Sequence, residues 1–183
     1  MGDTVLVHGF GPVGAAVLLA AQLAGAAATF VSEPSAERRQ WAARLGATAV
    51  FDPLVDDVRA ETYQATGRVG ADVVFECTGV PALLDGVVDT ARRGGRIVLV
   101  GVGHGHGELR TNRVVLFERQ LIGSLGYNHD LPRVIELIAA GRLDPTPLIT
   151  GVVPLDRAVE DAFEVLLADR GSHMKVLIDV GEV

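Results

Sequence analysis

The sequence predicts a doubly wound α/β fold, a parallel sheet with helices on both faces, and three observations carry that prediction. From Thr4 to Ala140, short apolar runs bounded by turn residues alternate with segments of helical periodicity, the pattern of parallel strands joined by right-handed crossovers. The first run, Val5-Leu6-Val7-His8, leads into Gly9-Phe10-Gly11-Pro12-Val13-Gly14, a G-x-G-x-x-G turn that opens an alanine-rich helix. The second run, Thr29-Phe30-Val31-Ser32, ends on an acid, Glu33, roughly 20 positions beyond the turn.

The elements follow in order. Thr4 to His8 forms the first strand, and Val13, Ala16, Val17, Ala20 and Ala24 recur at helical spacing behind the turn. After the second strand, Pro34 and Ser35 start a helix that Gly46 closes; Trp41, Ala42 and Leu45 face the sheet, while Glu37, Arg38, Arg39 and Arg44 face water. Ala47 to Phe51 is a short third strand, stopped by Asp52-Pro53, and a charged helix runs from Val55 to Ala65. Asp72 to Glu76 is the fourth strand. Pro81 suits the first turn of a helix ending before Gly94-Gly95, and Arg96 to Gly101 is the fifth strand. A glycine- and histidine-rich loop, Val102 to Asn112, reads as mobile. Leu121 to Ser124 is the sixth strand, and Leu131 to Ala140 its helix, with Gly141 as the stop. The expected strand order is 3-2-1-4-5-6, with ligand at the carboxyl ends of the strands. From Asp144 the character changes: Pro145, Pro147 and Pro154 punctuate an extended piece, followed by a helix around Asp156 to Ala168 and a last strand, Lys175 to Asp179. This tail is not a seventh unit of the sheet.

The turn has the chemistry of a phosphate cradle. Gly9 permits the sharp exit from the strand, Gly11 lets backbone approach a diphosphate, and Gly14 lets the helix pack closely on the sheet, with Pro12 and Val13 at the helix start beside the anion. Free N–H groups of the first helical turn would hold the charge, the helix dipole adding about 0.3–1 kcal/mol. Together with Glu33 this is the pattern of a Rossmann dinucleotide site, the glutamate accepting hydrogen bonds from both hydroxyls of the adenosine ribose. NAD is therefore expected over NADP. A 2′-phosphate about 4 Å from that carboxylate would meet roughly 4 kcal/mol of repulsion per unit charge, about a thousandfold in affinity before screening.

Composition narrows the rest. The chain has 183 residues, 49% hydrophobic, 21% charged and 5% aromatic, with a net charge of −7, so a nucleic-acid backbone is excluded as a partner. Val13 to Phe30 is apolar, but Gln22 and Gly25 interrupt it and it reads as helix then strand, not as a membrane span. No basic start marks a secretory signal, and one cysteine, Cys77, rules out an internal disulfide. The cytoplasm is the expected compartment.

With these residues in view, the chain resembles the zinc-dependent medium-chain alcohol dehydrogenases, and within them the butanediol and sorbitol dehydrogenase group. The pieces that carry the resemblance are Gly9 to Gly14, Glu33-Pro34 through Arg38-Arg39, Leu45-Gly46-Ala47, Phe75-Glu76-Cys77-Thr78-Gly79, Gly94-Gly95-Arg96 into Val100-Gly101, Gly123 to Tyr127, and Pro147 to Thr150. The resemblance implies an NAD(P)-binding Rossmann domain over residues 1–145 and, over 146–183, a return segment that completes a zinc-bearing catalytic domain expected to be missing here. Zinc and its ligands would lie on that missing domain, so no metal site is expected in this chain, and the substrate, a small alcohol, diol or ketone, would bind only with that domain present. The resemblance also implies a basic contact near the ribose from Arg38, backbone contacts on the nicotinamide side from Val100, Gly101 and Val102, a reach of Lys175 toward the diphosphate, and a homodimer through the sixth strands.

Each of these residues has a plainer reading. Arg38 and Lys175 also suit solvated surface charges. Cys77 and Thr78 follow the fourth strand at the crevice, but no partner ligands accompany Cys77, whose ordinary role is a buried strand-end thiol. His104 and His106 form an H-x-H pair that needs a third ligand; His8 reads as a core histidine, and Asp130 beside His129 reads as a helix cap. Two other functions stay open, a non-catalytic dinucleotide-binding module and a zinc-free quinone or enoyl reductase relative. Glu33 and the intact glycine pattern oppose the second.

Overall fold

The computed structural model describes residues 1–127, 129–169 and 171–181. Its elements are β1 (Thr4–His8), α1 (Pro12–Leu23), β2 (Ala28–Ser32), α2 (Ala36–Arg44), β3 (Ala49–Phe51), α3 (Val58–Ala65), β4 (Ala71–Glu76), α4 (Leu84–Thr90), β5 (Ala91–Leu99), α5 (Asn112–Val115), β6 (Gln120–Gly123), α6 (Leu131–Ala139), β7 (Ile149–Pro154), α7 (Val165–Ala168) and β8 (Lys175–Asp179). Six strands form one parallel sheet in the order β3-β2-β1-β4-β5-β6, as the alternation predicts, and β7 and β8 form a separate parallel pair.

Alternation along each strand divides the core between the two faces of the sheet. Val5, Val7, Val31 and Val73 meet Ala15 and Leu18 of α1 and Ala42 of α2. Leu6, Phe30, Val74 and Ile97 meet Val87 and Val88 of α4 on the other face. Burying a side chain such as Leu18 or Phe30 stabilises the fold by about 1.5–3 kcal/mol, so the strand tips that carry the crevice stand on a rigid base. Trp41 and Leu45 pack on the first face as expected.

Several boundaries differ from the sequence reading. The charged helix begins at Val58, not Val55, because Asp57 caps it by accepting from Ala60 N, while Asp52 and Asp56 close a turn ahead of it. The helix opened by Pro81 starts as one turn of 3-10 helix and ends at Thr90, and β5 starts at Ala91. Gly94 and Gly95 belong to a bulge in that strand: the partner of Ala71 is Ala91, that of Val73 is Arg96, and Gly94 sits at φ +68°. The segment expected as a helix from Asp156 to Ala168 is a 3-10 turn, a π-wound stretch and α7 in succession. The loop after β5 is coil, held by close approaches of Gly103 to the Gly79 carbonyl and of Gly107 to the Pro81 carbonyl.

The side chain that locks β5, α4 and α5 together is Arg119. It is buried, donates to Ala91 O at 3.0 and 2.6 Å, to Arg113 O at 3.1 Å and to buried Asp89 at 3.2 Å, and its guanidinium lies over the Phe117 ring. Asp89→Ala leaves that guanidinium buried without its counter-charge and is expected to cost about 3–5 kcal/mol. Arg93→Ala, which breaks an exposed pair with Glu118, is expected to stay within about 0.5 kcal/mol of the parent, and urea titration of the two variants checks the contrast.

Burial falls away beyond β6. No residue of α6 is buried, and Leu131, Ile135, Val152, Leu155, Val159, Phe163 and Leu167 are all more than half exposed. The helix expected to cover β6 therefore leaves its apolar face open, whereas α1 buries Gly14, Ala15 and Leu18. Met174 is buried in the cluster that holds Val5, Val7 and Phe10, and Leu148 packs against it, so the tail returns to the core there. Among the described residues, no helix is long and apolar enough to cross a membrane.

Candidate functional site: a crevice at the strand tips

The carboxyl ends of β1, β2 and β4 open into a cleft of about 820 Å³. Gly9, Gly11, Glu33, Arg38, Cys77 and Thr78, all singled out in the sequence, line it. A second cavity, about 340 Å³, lies at the opposite end of the sheet around Met1, Asp3 and Gly25, away from every one of these residues.

The three glycines have different reasons to be glycine. Gly9 sits at φ +87°, donates to Ser32 O at 2.8 Å, and has Thr78 so near that a Cβ would lie 2.8 Å from its Cγ2. A Cβ on Gly14 would stand 2.0 Å from the Gly9 carbonyl oxygen, so the close approach of α1 to the turn requires its absence. Gly11 is different. Only Arg38 Nη1, at 3.8 Å, comes within 4 Å of a Cβ there, which leaves open space over the N-terminus of α1. Pro12 occupies the first helical turn, where a missing N–H costs nothing; Pro12, half-exposed Val13 and buried Gly14 do not line the cleft.

Glu33 is a buried carboxylate at the cleft. It is 5% exposed, its Oε2 accepts from Phe10 N at 2.7 Å, and its Oε1 accepts from Ser35 N at 2.9 Å. Each carboxylate oxygen has a second lone pair, so two N–H bonds leave two acceptor positions for hydroxyl donors. The glutamate thus stands one residue from Gly11, joined to the turn through Phe10.

On the opposite wall, Cys77 donates its N–H to His8 O at 2.8 Å. Burial, and after it the Glu76 charge, pushes its thiol up to about 12, so it carries no thiolate at neutral pH. His8 is a core histidine as expected. Burial drives it down to about 4, and its Nε2 lies 3.3 Å from Thr90 Oγ1, whose hydroxyl donates to Val87 O, so Nε2 carries the proton.

The sequence reading missed the part played by Glu76. Nearly buried, it accepts from Thr78 N at 2.7 Å, from the Thr78 hydroxyl and from Gly79 N at 3.1 Å, while its carbonyl accepts from Val100 N and Gly101 N, both at 2.9 Å. It shapes the Thr78-Gly79 turn and ties it to the end of β5. A charged residue closing an apolar strand just ahead of Thr-Gly was the available signal. Val100, Gly101 and Val102 lie beside this turn, off the wall of the cleft; a Cβ on Gly101 would be 2.2 Å from Gly79 N. Lys175 is also off the cleft wall, exposed at the start of β8 next to Met174.

Two expectations about charged groups change. Arg39, read as facing water, turns inward to the strand tips with a side chain only 20% exposed. Asp130 occupies the N-cap position of α6, but its side chain makes no capping hydrogen bond. His104 and His106 lie on the exposed loop, and among the described residues no group of three or more His, Cys, Asp or Glu is placed to hold a metal ion.

Comparison with known proteins places this geometry. The family profile described as zinc-binding dehydrogenase matches residues 12–140. The (R,R)-butanediol dehydrogenase of Bacillus subtilis is 36% identical over 97% of this chain and 51% of its own length, and sorbitol dehydrogenase of Gallus gallus is 33% identical over 97% and 50%. The crystal structure of the 2R,3R-butanediol dehydrogenase from Bacillus subtilis superposes with a TM-score of 0.91, covering 98% of this chain and 51% of the other. The chain spans about half the length of these relatives. It belongs to the zinc-binding dehydrogenase family and corresponds to the coenzyme-binding half of such an enzyme.

Proposed function

We propose that this chain binds NAD(H), in preference to NADP(H), as the coenzyme-binding part of a dehydrogenase acting on secondary alcohols or vicinal diols. The observation that carries the proposal is the Glu33 carboxylate, held by Phe10 N and Ser35 N beside the open space over Gly11. In this reading the diphosphate lies over Gly11 on the N–H groups at the start of α1, and the adenosine ribose spans the two remaining acceptor positions of Glu33. Arg38 borders the ribose. Cys77 and Thr78 form the facing wall, and Val100, Gly101 and Val102 offer backbone toward the nicotinamide. Lys175, exposed at the start of β8, is assigned to the diphosphate through its long side chain.

When bound, the nicotinamide supplies a two-electron hydride acceptor, and the chain's own work is to grip and aim it. The zinc of the family name finds no ligand cluster among the described residues. The open apolar faces of α6 and of the segment from Leu155 to Leu167 support a covering domain that completes the substrate pocket. The reading keeps the coenzyme-binding domain over residues 1–145 and the return segment over 146–183. With β6 at the edge of the sheet, the reading includes a homodimer through that edge and a cytoplasmic location. Titration with NADH, followed by its fluorescence, tests the proposal: saturable binding, with no diol oxidation by the chain alone, is expected. Absence of NADH binding by folded protein overturns it.

A further inference from the structure

We propose that Arg39 and Asp52 form a positioning pair behind the cleft that sets coenzyme preference by fixing the Glu33 carboxylate. The inference rests on the coenzyme reading above and names a control on the same site. Arg39 Nη1 donates to Glu33 O and to Pro34 O, each at 2.8 Å, and Nη2 meets Asp52 Oδ2 at 2.9 Å. One guanidinium from α2 thereby joins the exits of β2 and β3. The carbonyls it holds belong to the turn that leads to Ser35, whose N–H fixes Glu33 Oε1. A shift of that turn moves the carboxylate.

Asp52 carries the same restraint into the neighbouring wall, on the β3 side. Its Oδ1 accepts from Leu54 N at 3.0 Å and its N–H donates to Asp56 Oδ2 at 2.7 Å, and Pro53, Leu54 and Asp56 line the cleft. The pair therefore sets the separation between the ribose carboxylate and the wall beside it. Its charge arrangement matters as well. Two successive arginines have different tasks: Arg38 lines the cleft, whereas Arg39 lies behind it, neutralised by Asp52 and spent on backbone carbonyls. A 2′-phosphate at the ribose site gains no direct contact from it. Arginine suits the task because its planar fork spans two carbonyls and a carboxylate at once, which a lysine ammonium cannot do in the same geometry.

The test uses the whole chain with Arg39→Gln, Arg39→Lys, Asp52→Asn, Glu33→Gln and the Arg39→Gln/Glu33→Gln double variant. Two readouts are taken, backbone amide hydrogen exchange and the affinities for NADH and NADPH. Arg39→Gln and Asp52→Asn are each expected to speed exchange at Phe10 and Ser35 by about tenfold, with Val88 in α4 unchanged, and to cut the NADH-over-NADPH preference by about tenfold. Arg39→Lys should recover part of both effects. In the Glu33→Gln background Arg39→Gln should alter the preference no further. Unchanged exchange at Phe10 and Ser35, or an unchanged preference in a chain that binds NADH, overturns the inference. If the parent chain binds neither coenzyme, it is the coenzyme reading that fails, and the exchange readout alone decides whether the pair positions Glu33.

Discussion

Gly14→Ala is expected to lower the stability of the chain by about 1–2 kcal/mol, although alanine is the better helix former. In an unobstructed helix the exchange would gain about 1 kcal/mol. Here the new methyl would stand 2.0 Å from the Gly9 carbonyl oxygen, an approach that only a shift of α1 or of the turn relieves, and overpacking of this kind costs about 1–3 kcal/mol before such a shift disturbs the core beneath. The clash therefore outweighs the propensity. Gly11→Ala is the matched control. Its methyl meets only Arg38 Nη1 at 3.8 Å, so the melting temperature should hold while NADH binding weakens, because the methyl fills the space assigned to the diphosphate. Thermal melts and NADH titrations of the two variants read both effects. A Gly14→Ala chain that melts like the parent contradicts the close-packing role.

Glu33→Ala carries the largest expected change in binding. Repulsion of roughly 4 kcal/mol per unit charge between a carboxylate and a 2′-phosphate about 4 Å away corresponds to about a thousandfold against NADPH. Removing the carboxylate should erase most of that preference, NADPH gaining while NADH loses its ribose contacts. The substitution also strands the Phe10 and Ser35 N–H groups, each at a cost of about 1–3 kcal/mol if water does not reach it, so NADH affinity should fall by more than the ribose contacts alone. Parallel titrations with both coenzymes measure the shift. Equal affinity for NADH and NADPH in the parent removes Glu33 from this role.

The legible parts of the molecule were those where local pattern and tertiary demand coincide. The order of the sheet followed from strand–helix alternation and the handedness of crossovers, and the Gly9 to Gly14 turn from glycine spacing, because each is encoded within a few residues. Less legible were features set by distant partners. Gly94-Gly95 resembles a helix stop, yet the glycines serve a bulge whose shape depends on the Phe117 carbonyl and the Ala71 strand. Glu76 bonds Thr78 and Gly79 locally, but only the fold brings the end of β5, Val100 and Gly101, onto its carbonyl. Arg39 follows a solvent-facing pattern on α2, and only the meeting of the β2 and β3 tips gives it a buried task. The α6 stripe has the periodicity of a packed helix, but periodicity says nothing of which surface is to cover it.

The most direct measurement is a crystal structure of this chain with NADH. Both hydroxyls of the adenosine ribose are expected within hydrogen-bond distance of the Glu33 carboxylate, and the diphosphate over Gly11 on the first N–H groups of α1. An adenosine bound elsewhere, or a diphosphate that avoids the Gly11 turn, would contradict the assignment.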